Sequence, residues 1–157
     1  MMADADVETT AAAWQEIAGN AKDTQDIKTL REEHGSMDVS LDRIFPAGSG
    51  LILRKGNRPC GYILFEVSDR QSDSGAEHSL LIQHFYTSKE VRGIGSILKI
   101  IQLLREQAER RNCKSVMWRP ITPMEMTLTK RMKATREGNY YVFPVEQLNA
   151  RAILGGL

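Results

Sequence analysis

An apolar strand, a glycine-bearing loop and an amphipathic helix follow one another without interruption in this chain, and a second strand comes straight after. Residues 80–87 are short and rich in aliphatic and aromatic side chains, the composition of a mostly buried strand. Further on, Ile97, Ile100, Ile101, Leu104 and Ala108 share one helical face, with Lys99, Gln102, Glu106, Glu109 and Arg110 elsewhere. Between strand and helix lies Arg92-Gly93-Ile94-Gly95-Ser96, and Ser115-Val116-Met117-Trp118 predicts the second strand. A crossover of this length joins adjacent parallel strands, which places the chain in the α/β class.

The junction before the helix has a definite chemistry. The first turn of a helix carries amide hydrogens without intrahelical partners, and the helix dipole adds partial positive charge there. Glycines let the backbone approach an anion closely, and Arg92 adds a fixed cation. A diphosphate is the natural guest. Taken alone, Arg-Gly-x-Gly is more often a plain turn; its position between a strand and a helix gives it weight.

Glu90-Val91-Arg92-Gly93-Ile94-Gly95-Ser96-Ile97-Leu98 resembles the acetyl-CoA signature of the GNAT superfamily of N-acetyltransferases, departing from it in the last small residue. Residues 54–63 resemble the hairpin before the signature strand and residues 133–143 the closing hairpin, so the likeness covers residues 50–143. It implies a GNAT-like mixed, twisted sheet flanked by helices, with residues 1–157 as a single domain, 1–9 as a tail and 144–157 as a C-terminal extension. It also implies acetyl-CoA as co-substrate. Backbone groups around Phe85, Tyr86 and Thr87 would pair with the pantetheine arm and polarise the thioester carbonyl, while Arg92, Gly93, Ile94, Gly95 and Ser96 would hold the diphosphate.

Transfer to an amine further needs a base and an acid. His84, on the signature strand, and Glu66, on the strand before it, are the candidate bases, although a lone histidine on a strand is more often structural. Many superfamily members carry a tyrosine acid in a Leu-Tyr-x-x-x-Gly-Phe pattern. The matching run here is residues 128–134, with Thr129 in the tyrosine's place, and a threonine hydroxyl is far too weak an acid to replace it. Tyr140 is the substitute, set against the usual packing role of hairpin tyrosines; His34 and His78 fall in turn-like contexts and rank lower.

Two function classes follow. One is an acetyl-CoA-dependent N-acetyltransferase acting on a primary amine of a small molecule, a protein or a tRNA. The other is a catalytically silent GNAT-fold binding or structural subunit, self-associating or built into a larger assembly such as a phage particle.

Charge is uneven. Residues 1–48 carry ten acidic against four basic side chains, and residues 89–136 carry twelve basic against four acidic. The basic half suits an anionic cofactor, or nucleic acid as a third reading that lacks a recognisable module. Cys60 and Cys113 offer neither a disulfide framework nor metal-ligand spacing and read as small core residues. No leader-like or membrane-length apolar run is present, so the expectation is a cytoplasmic protein without metal or membrane.

Elsewhere the pattern predicts a helix over residues 11–18 capped by Thr10, with Trp14 on its apolar face, and a second over residues 25–33 with Ile27 and Leu30 inward. Strands follow at 51–54 and 61–67 around a Gly56-Asn57 turn, then a polar, flexible connection over 68–77. Thr122-Pro123-Met124-Glu125 starts a helix that carries Met124, Leu128 and Met132, and residues 144–157 predict a short terminal helix.

Overall fold

The structure, a computed structural model, describes residues 12–34, 45–91, 94–119, 129–130 and 134–148. In chain order its elements are β1 (Ala13–Glu16), α1 (Ala21–His34), β2 (Gly50–Lys55), β3 (Arg58–Ser72), β4 (Gly75–Thr87), α2 (Ile94–Arg110), β5 (Ser115–Trp118), β6 (Thr135–Glu137) and β7 (Tyr140–Pro144). Single 3-10 turns occupy Lys89–Val91 and Val145–Gln147. The seven strands are hydrogen-bonded in the order β1-β2-β3-β4-β5-β7-β6, with β4 and β5 parallel, so the sheet is mixed as expected. The contacts gather into two compact units, residues 1–64 with 84–92 and residues 65–83 with 93–157.

In the first unit, β1 replaces the helix expected over residues 11–18. Its partners are antiparallel, Ala13 opposite Arg54 through Glu16 opposite Leu51. An alanine-rich run has high intrinsic helix propensity, but a strand partner contributed from far along the chain outweighs so weak a preference. The helix expected over 25–33 is present and begins earlier: Asn20 Oδ1 accepts the Asp23 N–H at 2.9 Å and caps the first turn of α1. Ile27 and Leu30 then pack with Ile17, Ile52, Tyr62, Leu64 and Tyr86 in one apolar cluster. Full burial of side chains of this size contributes roughly 2 kcal/mol each.

Arg54 ties these elements together. Its guanidinium donates to Asp23 Oδ1 at 2.7 Å, to Asp26 Oδ2 at 2.8 and 3.1 Å and to Gln15 Oε1 at 3.1 Å, joining β2 to α1 and β1. The Ala18 N–H donates to the second Asp23 oxygen at 2.7 Å. Burial alone would raise the Asp23 carboxyl; the Ala18 N–H and the Arg54 guanidinium outweigh it and hold the acid below its usual value. Because folding lowers this pKa, the contribution is complete above about pH 4 and is lost as the pH falls through the lower folded value. Thermal melts taken from neutral pH into acid should therefore decline below about pH 4, and Asp23→Asn should flatten that decline. Equal acid slopes in the two proteins would remove Asp23 as its source.

In the second unit, α2 ends as a Schellman motif. Asn112 takes the left-handed conformation (φ 57°), the Cys113 N–H donates to the Ala108 carbonyl at 2.8 Å, and the Asn112 N–H to Glu109 at 3.2 Å. Of the face expected to turn inward, Ile101 and Ala108 are buried and Ile100 and Leu104 half-buried. β5 pairs with β4 from Ser79–Ser115 to Leu81–Met117 and with β7 from Ser115–Pro144 to Trp118–Tyr141. Both cysteines are buried, as their small size and low polarity led us to expect.

Residues 68–77 are not a flexible connection. β3 runs on to Ser72, turns at Asp73-Ser74 and returns as β4 from Gly75 (φ 113°). Ser68, Arg70 and Ser72 alternate with the exposed Asp69, Gln71 and Asp73, so the strand period is present but its sheltered set is polar. Arg70 explains it: its guanidinium donates to Glu77 on β4 and through two nitrogens to both Glu137 oxygens on β6. His78, expected in a turn, lies in β4 beside Asp69 at 2.9 Å.

The expected tail over 1–9, the helix starting at Thr122 with Met124, Leu128 and Met132, and the extension beyond Leu148 lie outside the described residues.

Candidate functional site

One candidate segment, in the first unit, is the end of β4. The side chains of Tyr86 and Thr87 are buried, Tyr86 facing Tyr62 with ring centroids 6.3 Å apart, while Phe85 is 36% exposed. His84, one position earlier, is exposed on the same strand. What fixes this segment is β3. The Ser88 N–H and hydroxyl both donate to the Cys60 carbonyl at 2.8 Å. A Cβ at Gly61 would lie 2.7 Å from the Tyr86 carbonyl oxygen and 3.1 Å from Thr87 Cγ2, so only glycine permits the approach. The Arg58 guanidinium closes the corner on Glu90 at 2.8 Å, an exposed pair of little energetic weight.

β4 pairs with β5 only as far as Leu81, yet it stays extended through Thr87. A separate candidate segment is the start of α2, in the second unit. Ile94, Gly95 and Ser96 form its first turn, whose amide hydrogens have no intrahelical acceptors. No acidic residue occurs in that turn to satisfy its amides or repel an anion. Arg92 and Gly93 lie outside the described residues.

The three catalytic candidates fall in two different units. His84 belongs to the first unit, Glu66 and Tyr140 to the second. Within the second unit, Glu66 on β3 and Tyr140 on β7 are separated in the sheet by β4 and β5. Glu66 is exposed and Tyr140 is 38% exposed. Thr129, where the resemblance implies a tyrosine, is 1% exposed, and its hydroxyl accepts the Trp118 indole N–H at 2.9 Å. It is a buried acceptor in the packing beneath β5. Among the described residues no group of His, Cys, Asp and Glu gathers to hold a metal, and no helix is long and apolar enough to cross a membrane.

A family model described as acetyltransferase (GNAT) family matches residues 14–124. This chain belongs to the GNAT acetyltransferase family. No curated protein sequence matches it. Three solved structures share the fold at low identity. A mutant AtaT toxin bound to the C-terminus of the antitoxin AtaR and acetyl-CoA is 10% identical, over 87% of this chain and 95% of that one, with a TM-score of 0.55. A chain of the NatC complex bound to Gag peptide and CoA is 13% identical over 85% and 98%, with a TM-score of 0.60. A ribosomal-protein-alanine N-acetyltransferase from Brucella melitensis biovar Abortus 2308 is 17% identical over 81% and 94%, with a TM-score of 0.59.

With the GNAT fold in hand, β1 is the opening strand that the sequence pattern hid. Sequence reasoning also missed Gly61, Cys60 and Ser88, which anchor the end of the GNAT signature strand. Pro59-Cys60-Gly61 was the available signal, because a glycine inside a strand pattern marks a close backbone approach.

Proposed function

We propose that this GNAT chain transfers the acetyl group of acetyl-CoA to a primary amine. The observation that carries the reading is the pairing of β4 with β5, which stops at Leu81 while β4 continues extended to Thr87. That leaves a run of strand backbone at Phe85, Tyr86 and Thr87 for the pantetheine arm, with one amide to polarise the thioester carbonyl. The chain then leads through Arg92 and Gly93 into the first turn of α2, whose free amides at Ile94, Gly95 and Ser96 suit the diphosphate. The acetyl-CoA held by the AtaT structure and the CoA held by the NatC structure support the same donor here.

In the transfer, a neutral amine nitrogen attacks the thioester carbonyl carbon. The new C–N bond forms, the C–S bond breaks, and the proton lost by nitrogen balances the one gained by the CoA sulfur. His84 on β4 is the base we assign, and the departing thiolate takes its proton from water. Glu66 and Tyr140, separated from each other in the sheet by β4 and β5, are not assigned as a pair.

A second reading, a GNAT subunit that binds CoA without turnover, is favoured by Thr129, which is enclosed and engaged by Trp118 where an acid would be needed. Binding and turnover are therefore tested together. Acetyl-CoA at about a hundredfold excess over its Kd should stabilise by about 2.7 kcal/mol, a melting shift of roughly 5–10 °C for a chain of this size. Arg92→Glu should abolish the shift. Release of free thiol with a pool of primary amines supports transfer; a shift without thiol release supports the second reading. No shift in the native chain defeats both.

A further inference from the structure

β3 and β6 are not neighbours in the sheet. β4, β5 and β7 stand between them, so four inter-strand steps of about 4.8 Å would hold them about 19 Å apart in a flat sheet. Arg70 on β3 nevertheless donates from Nε to Glu137 Oε2 on β6 at 3.0 Å, and from a second nitrogen to the other oxygen. An arginine and a glutamate side chain together do not span the flat distance. The sheet therefore curls, and the pair closes over its concave face.

Strand register says which face that is. Ser79 stands beside Ser115 and Leu81 beside Met117; Met117 is opposite Val142, and Glu137 is opposite Tyr140, two positions before Val142. Directly opposed residues and residues two apart share a face, so Ser79, Leu81, Ser115, Met117, Val142 and Glu137 project together. Arg70 joins them through Glu77, two positions before Ser79. Leu81 and Met117 are the last pair before β4 and β5 part, so the closed-over face leads to that parting.

Apart from this clasp the β6-β7 hairpin is lightly tied. β6 has three residues and lies at the edge of the sheet, paired with β7 alone. Thr135, Arg136, Gly138, Asn139 and Tyr140 are exposed, and Gly138 turns the hairpin with φ 61°. Among the described residues, Arg70 supplies the side-chain hydrogen bonds that join β6 to any strand other than β7. The Glu137 side chain is 39% exposed, so water and salt reach the pair.

We propose that the β6-β7 hairpin is a strap, held shut over the concave face by the Arg70–Glu137 pair and able to open while β5 and α2 stay folded. Its opening admits an acceptor amine toward the parting of β4 and β5. That gating role rests on the acetyl-transfer reading above; the strap itself does not.

Amide hydrogen exchange on the full chain tests the strap. Arg70→Ala should speed exchange over residues 135–143 at least tenfold, the loss of a charge-assisted pair, with α2 and β5 unchanged. Glu137→Gln should act in the same direction while leaving the Arg70–Glu77 pair of the β3-β4 hairpin in place. Raising salt from about 0.1 M to about 1 M shortens the screening length from about 10 Å to about 3 Å, so native exchange should rise over the same residues and that of Arg70→Ala should not. With benzylamine as the probe amine, Glu137→Gln should lower KM several-fold at unchanged kcat, because a larger fraction of the chain is open, and the melting shift with acetyl-CoA should match the native one. Exchange over 135–143 that equals the native rate in both variants, or that rises equally in α2 and β5, overturns the strap. An unchanged KM beside faster exchange, or no thiol release from Glu137→Gln with benzylamine, overturns the gating role. If acetyl-CoA does not shift the native melt, the acetyl-transfer reading fails, and the exchange rates still decide the strap.

Discussion

Arg54→Ala is expected to cost about 3–5 kcal/mol of folding free energy, seen as a fall in the urea midpoint without loss of a two-state transition. The magnitude comes from what is left behind. Asp23 and Asp26 have side chains only 6% and 18% exposed, and both lose their cation at once. Gln15 loses its link at the same time, which loosens β1 from β2. Arg54→Lys keeps a charge but cannot reach three carboxylate and amide oxygens from one planar fork, so its cost should fall between the native chain and the alanine variant. A loss below about 1 kcal/mol in the alanine variant would mean that the hub is solvent-screened and peripheral.

Gly61→Val is the second large effect, and it acts on function. The added Cβ would have to displace backbone, the Tyr86 carbonyl at 2.7 Å, and no side-chain rotation relieves that contact. Overpacking of this kind costs about 1–3 kcal/mol. The displaced segment is the stretch assigned to the pantetheine arm, so the melting shift with acetyl-CoA should disappear in a variant that still folds. Gly61→Ala should show the same loss with a smaller drop in stability. A full ligand shift in either variant would separate the end of β4 from donor binding.

The sequence was most legible where local pattern and tertiary demand agree. The faces of α2, the apolar run of β5 and the Gly56-Asn57 turn each carry their signal within a few residues. β1 was hidden because Ala13 and its alanine neighbours favour a helix locally, and the deciding partners, Arg54 to Leu51, come from far along the chain. The outer half of the β3-β4 hairpin was hidden for another reason. Its sheltered residue is Arg70, stabilised by Glu77 and Glu137, so a hydropathy scan sees only a polar tract. The candidate site divides in the same way. The anion loop is a contiguous motif and could be read directly, whereas His84, Glu66 and Tyr140 are single residues whose roles depend on strand order.

Trp118 and Thr129 also bear on how this chain can evolve. A lone mutation from threonine to tyrosine at position 129 would put a ring into a fully enclosed space and remove the oxygen that receives the indole hydrogen. The tyrosine that the resemblance implies at this position is therefore not one tolerated substitution away. Trp118 would have to change as well, so acquiring that ring calls for two coordinated substitutions rather than one.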